Sequence, residues 1–308
     1  MIAVLLVRKI AQLFFILFLG WLVVRIGLIK AEDSKVLSKL ALYLLVPFVI
    51  LKSFQMELTP DIQKGMIFSF AMGILMHVMQ IGFVTVGGKA LRLDTVEQGS
   101  VAYSNTVNLI VPLVTSVLGP EWVIYSSAVA STQLMFLWSH GLGMFSGWKN
   151  MNVKKMFLNP NMISIAVGLV LLVTGIRLPA MFNEVAGDMG SMLGPFAMLV
   201  VGMLLAETDL REMLKKKRLY LVLFLRMIFC PAVFMIVLKM TQVESWMTDG
   251  HKLALTIFLA AASPAATTIT QFAQLYDHDA KYAGAINIVS TLSCIVTMPA
   301  FVYIYEML

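Results

Sequence analysis

Residues 98–118 read QGSVAYSNTVNLIVPLVTSVL, and residues 252–273 read KLALTIFLAAASPAATTITQFA. Each stretch is long enough to cross about 30 Å of hydrocarbon as a helix. Each also carries a proline near its middle, Pro112 or Pro264, beside Asn, Ser or Thr residues. Because proline removes a backbone N–H and clashes with the preceding turn, we predict that both helices are interrupted there. In a bilayer, such breaks are tolerated where the backbone lines a polar cavity.

The rest of the chain has the composition of a membrane protein. Of its 308 residues, 59% are hydrophobic and 13% are charged, and the mean hydropathy is +0.87. The apolar runs are continuous rather than alternating, which favours helices over a β-barrel. The first run is predicted to be a membrane span rather than a signal peptide, because no small-x-small cleavage site follows it. We predict an all-α polytopic protein with ten spans near residues 7–27, 36–54, 65–87, 98–118, 122–147, 160–176, 190–206, 219–239, 252–273 and 281–304.

The basic residues of the connections alternate in density. Fifteen Lys and Arg residues fall in one set of loops and seven in the opposite set. Because cytoplasmic loops are the Lys/Arg-rich ones, the denser set is predicted to be cytoplasmic. The pattern therefore predicts a multi-pass protein of the cytoplasmic (inner) membrane with both termini extracytoplasmic.

The ten spans divide into two halves of five, and an odd number of spans gives the halves opposite orientations. The second span of each half carries a mid-run proline, Pro47 or Pro195, and so does the fourth. We therefore predict a 5+5 inverted repeat, with residues 1–147 as the first half, residues 148–158 as a cytoplasmic connecting loop and residues 159–308 as the second half. Interrupted spans at matching positions of such halves point to a transporter's binding site.

The predicted breaks would expose half-helix N-termini, each carrying roughly half a positive charge. Two such ends meeting at mid-membrane would bind an anion without a fixed cation. The alternative is that the prolines only kink packed helices, and that the neighbouring Ser and Thr hydroxyls bond back to their own helix. The predicted substrate-binding residues are Asn105, Asn108, Pro112, Gln133, Ser263, Pro264, Thr267 and Thr268.

Three further polar residues inside spans, His77, Gln80 and Gln271, are candidates for ion or proton coupling, although a lone His in a span is more often a packing residue. Arg226 lies seven residues into the eighth span, and we expect it to snorkel to the cytoplasmic side. Cys230 and Cys294 both lie in apolar runs and are predicted to pack rather than to form a disulfide or a metal site.

The distribution of acidic residues restricts the chemistry further. All 17 Asp and Glu residues fall in loops or at span ends. This disfavours an antiporter that works through a buried carboxylate pair, and it disfavours a cationic substrate. The chain also has no metalloprotease, nucleophile-elbow or phosphate-loop motif, so enzymatic activity and ATP-driven transport are not expected. No basic stretch is interleaved with aromatic residues, and no nucleic-acid partner is predicted.

The sequence resembles the auxin efflux carrier family, which includes the plant PIN proteins and many bacterial permeases and is related to bile acid/sodium symporters. The resemblance rests on Leu44-Leu45-Val46-Pro47, Asn105 through Pro112, Asn159-Pro160, Gly194 through Gly202, Ala262 through Ala266, Ala273 through Tyr276 and Thr297-Met298-Pro299. The short central loop resembles that of the bacterial members. The family often has a glycine where this chain has Ile110-Val111, and an Asn where it has Thr267-Thr268.

The resemblance implies a fold in which helices 4 and 9 cross at their prolines, with a scaffold of helices 1, 2, 6 and 7 and a transport core of helices 3–5 and 8–10. It also implies elevator-type alternating access, often in a homodimer, and it assigns site roles to Asn105, Pro112, Gln133 and Pro264. The expected function is therefore secondary transport of small organic anions such as malate, malonate or auxin-like carboxylates. No cofactor is expected, and coupling to Na⁺ or H⁺ is left open. The alternative is a membrane ligand sensor that uses the same fold without translocation.

Overall fold

The computed structural model describes residues 2–55, 60–110, 114, 118–119, 122–147, 158, 160–207, 209–247 and 249–307. Across these residues the chain is almost entirely helical and contains no strand beyond one isolated β-bridge. The helices are α1 (Ile2–Arg25), α2 (Ser34–Leu40), α3 (Val46–Ser53), α4 (Pro60–Ala90), α5 (Thr95–Ala102), α6 (Val123–Phe136), α7 (Leu142–Ser146), α8 (Pro160–Thr174), α9 (Ala180–Ala206), α10 (Leu210–Lys215), α11 (Lys217–Phe224), α12 (Cys230–Met240), α13 (Val243–Trp246), α14 (Gly250–Ala261), α15 (Thr267–Leu275) and α16 (Ala280–Met307).

Within the described ranges, five helical segments are long and apolar enough to cross a membrane, as judged by length and composition. They are Ala31–Lys52, Ile62–Ala90, Ala180–Ala206, Lys217–Ser245 and Ala280–Met307. Apolar side chains on these and neighbouring helices point outward: Val173 is 84% exposed and Met240 is 77% exposed. Outward-facing apolar surface along long apolar helices is typical of a protein that lies in lipid. The all-helical membrane fold is thus confirmed, and the count of ten spans stays a prediction.

One predicted boundary is wrong by a full ten residues. The span expected to begin near residue 190 is part of α9, which begins at Ala180 directly after Pro179. Its first turns carry Glu184 and Asp188, which suggested a loop in the sequence. Both side chains are exposed, so the helix accommodates them without burying charge.

In the part of the chain that the structure describes, four segments have the wider π-helical turn: Ala41–Leu45, Thr106–Ile110, Leu137–Gly141 and Leu225–Phe229. Two of them end two residues before a described proline, Pro47 or Pro231. A proline cannot donate to the carbonyl four residues earlier and clashes with it, so the preceding turn opens. Such wide turns are frequent at functional sites because they turn side chains away from the regular helical positions.

Two groups of helices pack closely. In the first, α1 and α3 contact α9, α8 contacts α3, and Gly20 and Gly202 let the backbones of α1 and α9 touch. Small residues allow such close approach in membrane helices. In the second, α4 packs on α6, α12 on α14 and α15 on α16. The second group surrounds the two points where helices are interrupted.

Candidate functional site

Two interrupted helical segments lie side by side. Helix α5 ends at Ala102 and helical structure resumes at Thr106, whereas α14 ends at Ala261 and α15 begins at Thr267. We call residues 103–105 the first break and residues 262–266 the second break. The interruption at Pro264 was predicted. Pro112 lies outside the described residues, and the first break already occurs several residues before it.

The two breaks are joined by an isolated antiparallel β-bridge between Ser104 and Ala265. The Asn105 N–H donates to the carbonyl of Pro264 at 2.8 Å, and the Ala266 N–H donates to the carbonyl of Tyr103 at 3.0 Å. Backbone groups freed by the loss of helical structure therefore satisfy each other. This is necessary because no water is available to pair them inside a bilayer.

Arg226 is fully buried beside the two breaks, so the expectation that it snorkels to the cytoplasm is wrong. Its Nε and Nη2 donate to the carbonyl of Ser263 at 3.0 and 2.8 Å. Its Nη2 also donates to Ala261 O at 3.1 Å, and its Nη1 donates to Val101 O at 3.2 Å. The sequence analysis assigned anion binding to helix ends that need no fixed cation, whereas the structure places a cation beside the breaks. The planar guanidinium holds its N–H donors in fixed directions, so it can bond several carbonyls at once. These bonds would be lost if the head group lay in water.

The charge at this position follows from the helix ends. The last carbonyls of α5 and α14 carry roughly half a negative charge each, because they have no partners within their helices. One guanidinium therefore neutralises two C-terminal ends. The start of α15 at Thr267 is a helix N-terminus, and its partial positive charge is left over. The sum of the charges on the guanidinium and these three helix ends is therefore positive.

Gln133 on α6 holds the first break. Its Oε1 accepts from the Ser104 hydroxyl at 2.7 Å, and its Nε2 donates to the Ser104 carbonyl at 2.5 Å. Both ends of this buried amide are thus used on one residue. Gln133 was predicted to be a site residue, and in this conformation its contacts position the break.

Asn287 and Ser290 on α16 hold the second break in the same manner. The Asn287 Nδ2 donates to the Ala265 carbonyl at 2.7 Å, and the Ala265 N–H donates to Ser290 Oγ at 3.2 Å. Sequence reasoning missed both residues. The sequence pattern that singled out Gln133, one amide in a long apolar run, also applies to Asn287 and could have identified it.

Asn105 is buried at the first break, and its Nδ2 has no hydrogen-bond partner among the described residues. Gln271, one turn into α15 from Thr267, is also buried, and its Nε2 likewise has no partner there. Both atoms are obligate donors. Near the breaks, two amide donors thus have no partner among the described residues, one at the first break and one on the helix that leaves the second.

The remaining predicted substrate residues have more ordinary surroundings. Ser263 Oγ donates back to Ala260 O at 2.9 Å, which is the back-bonding alternative. Thr267 is buried and Thr268 is half-buried. The side chain of Asn108, like Pro112, lies outside what the structure describes.

The candidate coupling residues His77 and Gln80 lie on α4. His77 Nδ1 donates to Gly73 O at 2.7 Å, and its ring stacks on Phe136 with centroids 5.5 Å apart. Its Nε2 and both amide atoms of Gln80 have no partner among the described residues. Gln80 lines an apolar cavity of about 140 Å³ between α4 and α12. Cys230, which also lines this cavity, and Cys294 are free and buried, as predicted.

Glu97 is the buried carboxylate among the described residues. It lies in the first turn of α5, where it forms a capping box with Asp94. Its Oε1 accepts from Arg218 Nε at 3.0 Å and from the Tyr282 hydroxyl at 3.2 Å. Glu97 is therefore paired at the opposite end of α5 from the breaks. Across the described part of the chain, no three His, Cys, Asp or Glu residues are placed to hold a metal ion.

Comparison with known proteins agrees with this architecture. A family described as "Membrane transport protein" matches residues 5–302, nearly the whole chain. No curated protein matches the chain. The members of this family are transporters rather than enzymes. The chain therefore belongs to the auxin efflux carrier, or PIN-like, family of membrane transport proteins.

Proposed function

We propose that this membrane transporter is a secondary carrier of small organic anions in the cytoplasmic membrane. The observation that carries the proposal is the buried, positively charged Arg226 beside two paired helix breaks, with the buried carboxylate Glu97 held by Arg218 elsewhere. A desolvated site with this balance attracts a negative charge and repels a positive one.

The unused donors favour a carboxylate as the group recognised. Asn105 Nδ2 and Gln271 Nε2 can only donate, and carboxylate oxygens can only accept. Hydrogen bonds to an ionised carboxylate are shorter and about twice as strong as those between neutral groups. Malate, malonate and auxin-like carboxylates are the proposed substrates, since each presents such a group.

For the architecture, we propose ten spans in a 5+5 inverted repeat, with residues 1–147 and 159–308 as the halves and both termini extracytoplasmic. The supporting observation is the equivalence of Gln133 and Asn287. Each is an amide on a helix that follows a break later in the chain, α6 or α16, and each donates to the carbonyl of the bridging residue. Two inverted copies of one unit would place equivalent amides at equivalent backbone positions.

The proposed mechanism is elevator-type alternating access in a homodimer. The group of α1, α3, α8 and α9 would form the scaffold, and the helices around the breaks would form the moving core. The close backbone contact of α1 with α9 supports a rigid scaffold. The bonds that tie α5, α6, α14 and α16 together at the breaks support a core that moves as one body.

The proposal is tested by counterflow in proteoliposomes. Vesicles loaded with unlabelled malate, malonate or indole-3-acetate should accumulate the same labelled anion, and protein-free vesicles should not. Asn105→Ala should reduce the initial rate about tenfold or more, since a buried hydrogen bond to a charged group contributes about 1.5–3 kcal/mol. Asn183→Ala is the matched control, because Asn183 contacts Lys52 at the far end of α9.

Two outcomes would count against transport. Folded protein that exchanges none of these anions would contradict the proposed substrate class. Saturable anion binding without counterflow would instead indicate the sensor, which holds a ligand at the same site without moving it.

A further inference from the structure

Three backbone carbonyls at the breaks converge on a single side chain. The oxygens belong to Val101 near the end of α5, Ala261 at the end of α14 and Ser263 in the second break. All of them accept from the guanidinium of Arg226 at 2.8–3.2 Å. Among the residues that the structure describes, no carboxylate takes part in this group of contacts, and the guanidinium bonds to backbone carbonyls.

A set of carbonyl oxygens from two helix C-termini and an unwound segment is the kind of site that binds a monovalent cation. In transporters with broken helices, such oxygens coordinate Na⁺. Each helix end contributes roughly half a negative charge. Two ends therefore require about one positive charge, which is the charge that the guanidinium supplies.

The local backbone explains how an arginine reaches this position. Arg226 lies in the wide turn Leu225–Phe229, which ends two residues before Pro231. Its planar fork places Nε and Nη2 on one oxygen and still reaches two others. A lysine ammonium would supply the charge but could not span the same three carbonyls with a fixed geometry.

We propose that Arg226 is a built-in replacement for a coupling cation. The guanidinium occupies the carbonyl site in which a sodium ion would otherwise neutralise the two helix ends. The two helix ends are therefore always neutralised, and anion binding needs no Na⁺. The transport half of this inference rests on the proposed function, whereas the replacement of a cation by Arg226 concerns folding stability alone.

The first test is cation rescue of purified protein. Melting temperatures of the wild type and of Arg226→Ala are measured in NaCl, in choline chloride and in dilute guanidinium chloride at equal ionic strength. The wild type should melt at the same temperature in NaCl and choline chloride. Arg226→Ala should melt roughly 10 °C lower in choline, because two helix ends lose their charge partner. Na⁺ or guanidinium should recover about half of that loss by filling the site.

Lys215→Ala is the control. This lysine lies eleven residues earlier, and it pairs with the Glu212 carboxylate where both side chains are exposed to solvent. Its loss should change the melting temperature little, and neither cation should have a specific effect. Arg226→Lys should be less stable than the wild type yet insensitive to Na⁺, since the charge remains. Equal melting temperatures of Arg226→Ala in all three salts would overturn the inference.

The second test uses only the wild type, so it stands even if Arg226→Ala does not fold. Anion counterflow is measured with sodium on both sides of the membrane and then with choline on both sides. Equal rates are expected, and a rate that falls about tenfold without Na⁺ would overturn the inference while leaving the proposed function intact. Cation rescue of Arg226→Ala without any anion counterflow would support the replacement of a cation by Arg226 and contradict the proposed function.

Discussion

The first and second breaks do the same structural task with different amounts of support. At the first break, one amide from α6 bonds Ser104, and Arg226 adds a single contact at Val101 O. At the second break, Asn287 and Ser290 bond both backbone groups of Ala265, and Arg226 adds three contacts. The second break is therefore the more heavily constrained of the two.

This difference assigns the breaks different roles. Constraint by α16 and Arg226 makes the second break the fixed reference for the site. The first break retains an unused donor, Asn105 Nδ2, whereas Ser263 in the second break has spent its hydroxyl on Ala260 O. We expect the first break to be the side that contacts the ligand. The substitutions below test this division, beginning with the largest expected loss of stability.

Gln133→Met should have the largest effect, because methionine keeps the length of the side chain but removes two hydrogen bonds at once. The Ser104 carbonyl would be buried without a partner, at a cost of about 2–3 kcal/mol in the free energy of unfolding. Unfolding of purified protein in mixed micelles measures this cost. Gln242→Met, at an exposed turn, is the control. A cost equal to that of the control would mean that Gln133 does not hold the break.

Asn287→Leu should cost less, about 1–2 kcal/mol, since it removes one hydrogen bond and leaves the Ser290 contact in place. The same unfolding measurement applies. Combining it with Gln133→Met should give a loss greater than either alone, because the two amides support different breaks. If the double variant were no less stable than Gln133→Met, the two supports would not be independent.

Ser290→Ala should cost about 1 kcal/mol or less. The bond that it removes from the Ala265 N–H is long, at 3.2 Å, and the Ala265 carbonyl keeps its bond to Asn287. The bond of the Ser290 hydroxyl back to the Asn287 carbonyl, at 2.9 Å, is also lost, and it is of the same kind as the bond that the control variant removes. Ser293→Ala, one turn away on the same helix, is a matched control, because Ser293 only bonds back to Val289. A loss several times larger for Ser290 than predicted would mean that this residue, rather than Asn287, carries the second break.

Asn105→Ala should have the smallest effect on stability, within about 0.5 kcal/mol, because its Nδ2 makes no bond to the described residues. Its effect on anion affinity should be the largest of the four variants. Affinity is measured by anion-dependent stabilisation of each variant against the wild type. Unchanged affinity would remove the first break from the binding site.

Sequence patterns predicted the helical membrane fold and the interruption at Pro264. They also singled out Gln133, which the structure places at the first break, and its role in substrate binding stays a prediction. Each of these is a local signal: an apolar run, a proline or a polar residue in an apolar environment. Sequence patterns did not predict the burial of Arg226, because its partners are backbone carbonyls of Val101, Ala261 and Ser263. Every residue has a backbone carbonyl, so residue types do not show which carbonyls will accept. The position of the first break was also missed, since Pro112 marks the segment but helical structure ends at Ala102.

Thermal unfolding of the wild-type protein with matched organic ligands tests most directly whether the paired breaks form an anion site. Malate, malonate and indole-3-acetate are compared with their neutral amides and with organic cations of similar size. We expect at least one carboxylate to raise the melting temperature in a concentration-dependent manner, in choline as well as in sodium, and Asn105→Ala to abolish the rise. Stabilisation by the cations or the neutral amides, with none from the carboxylates, would contradict an anion site beside Arg226.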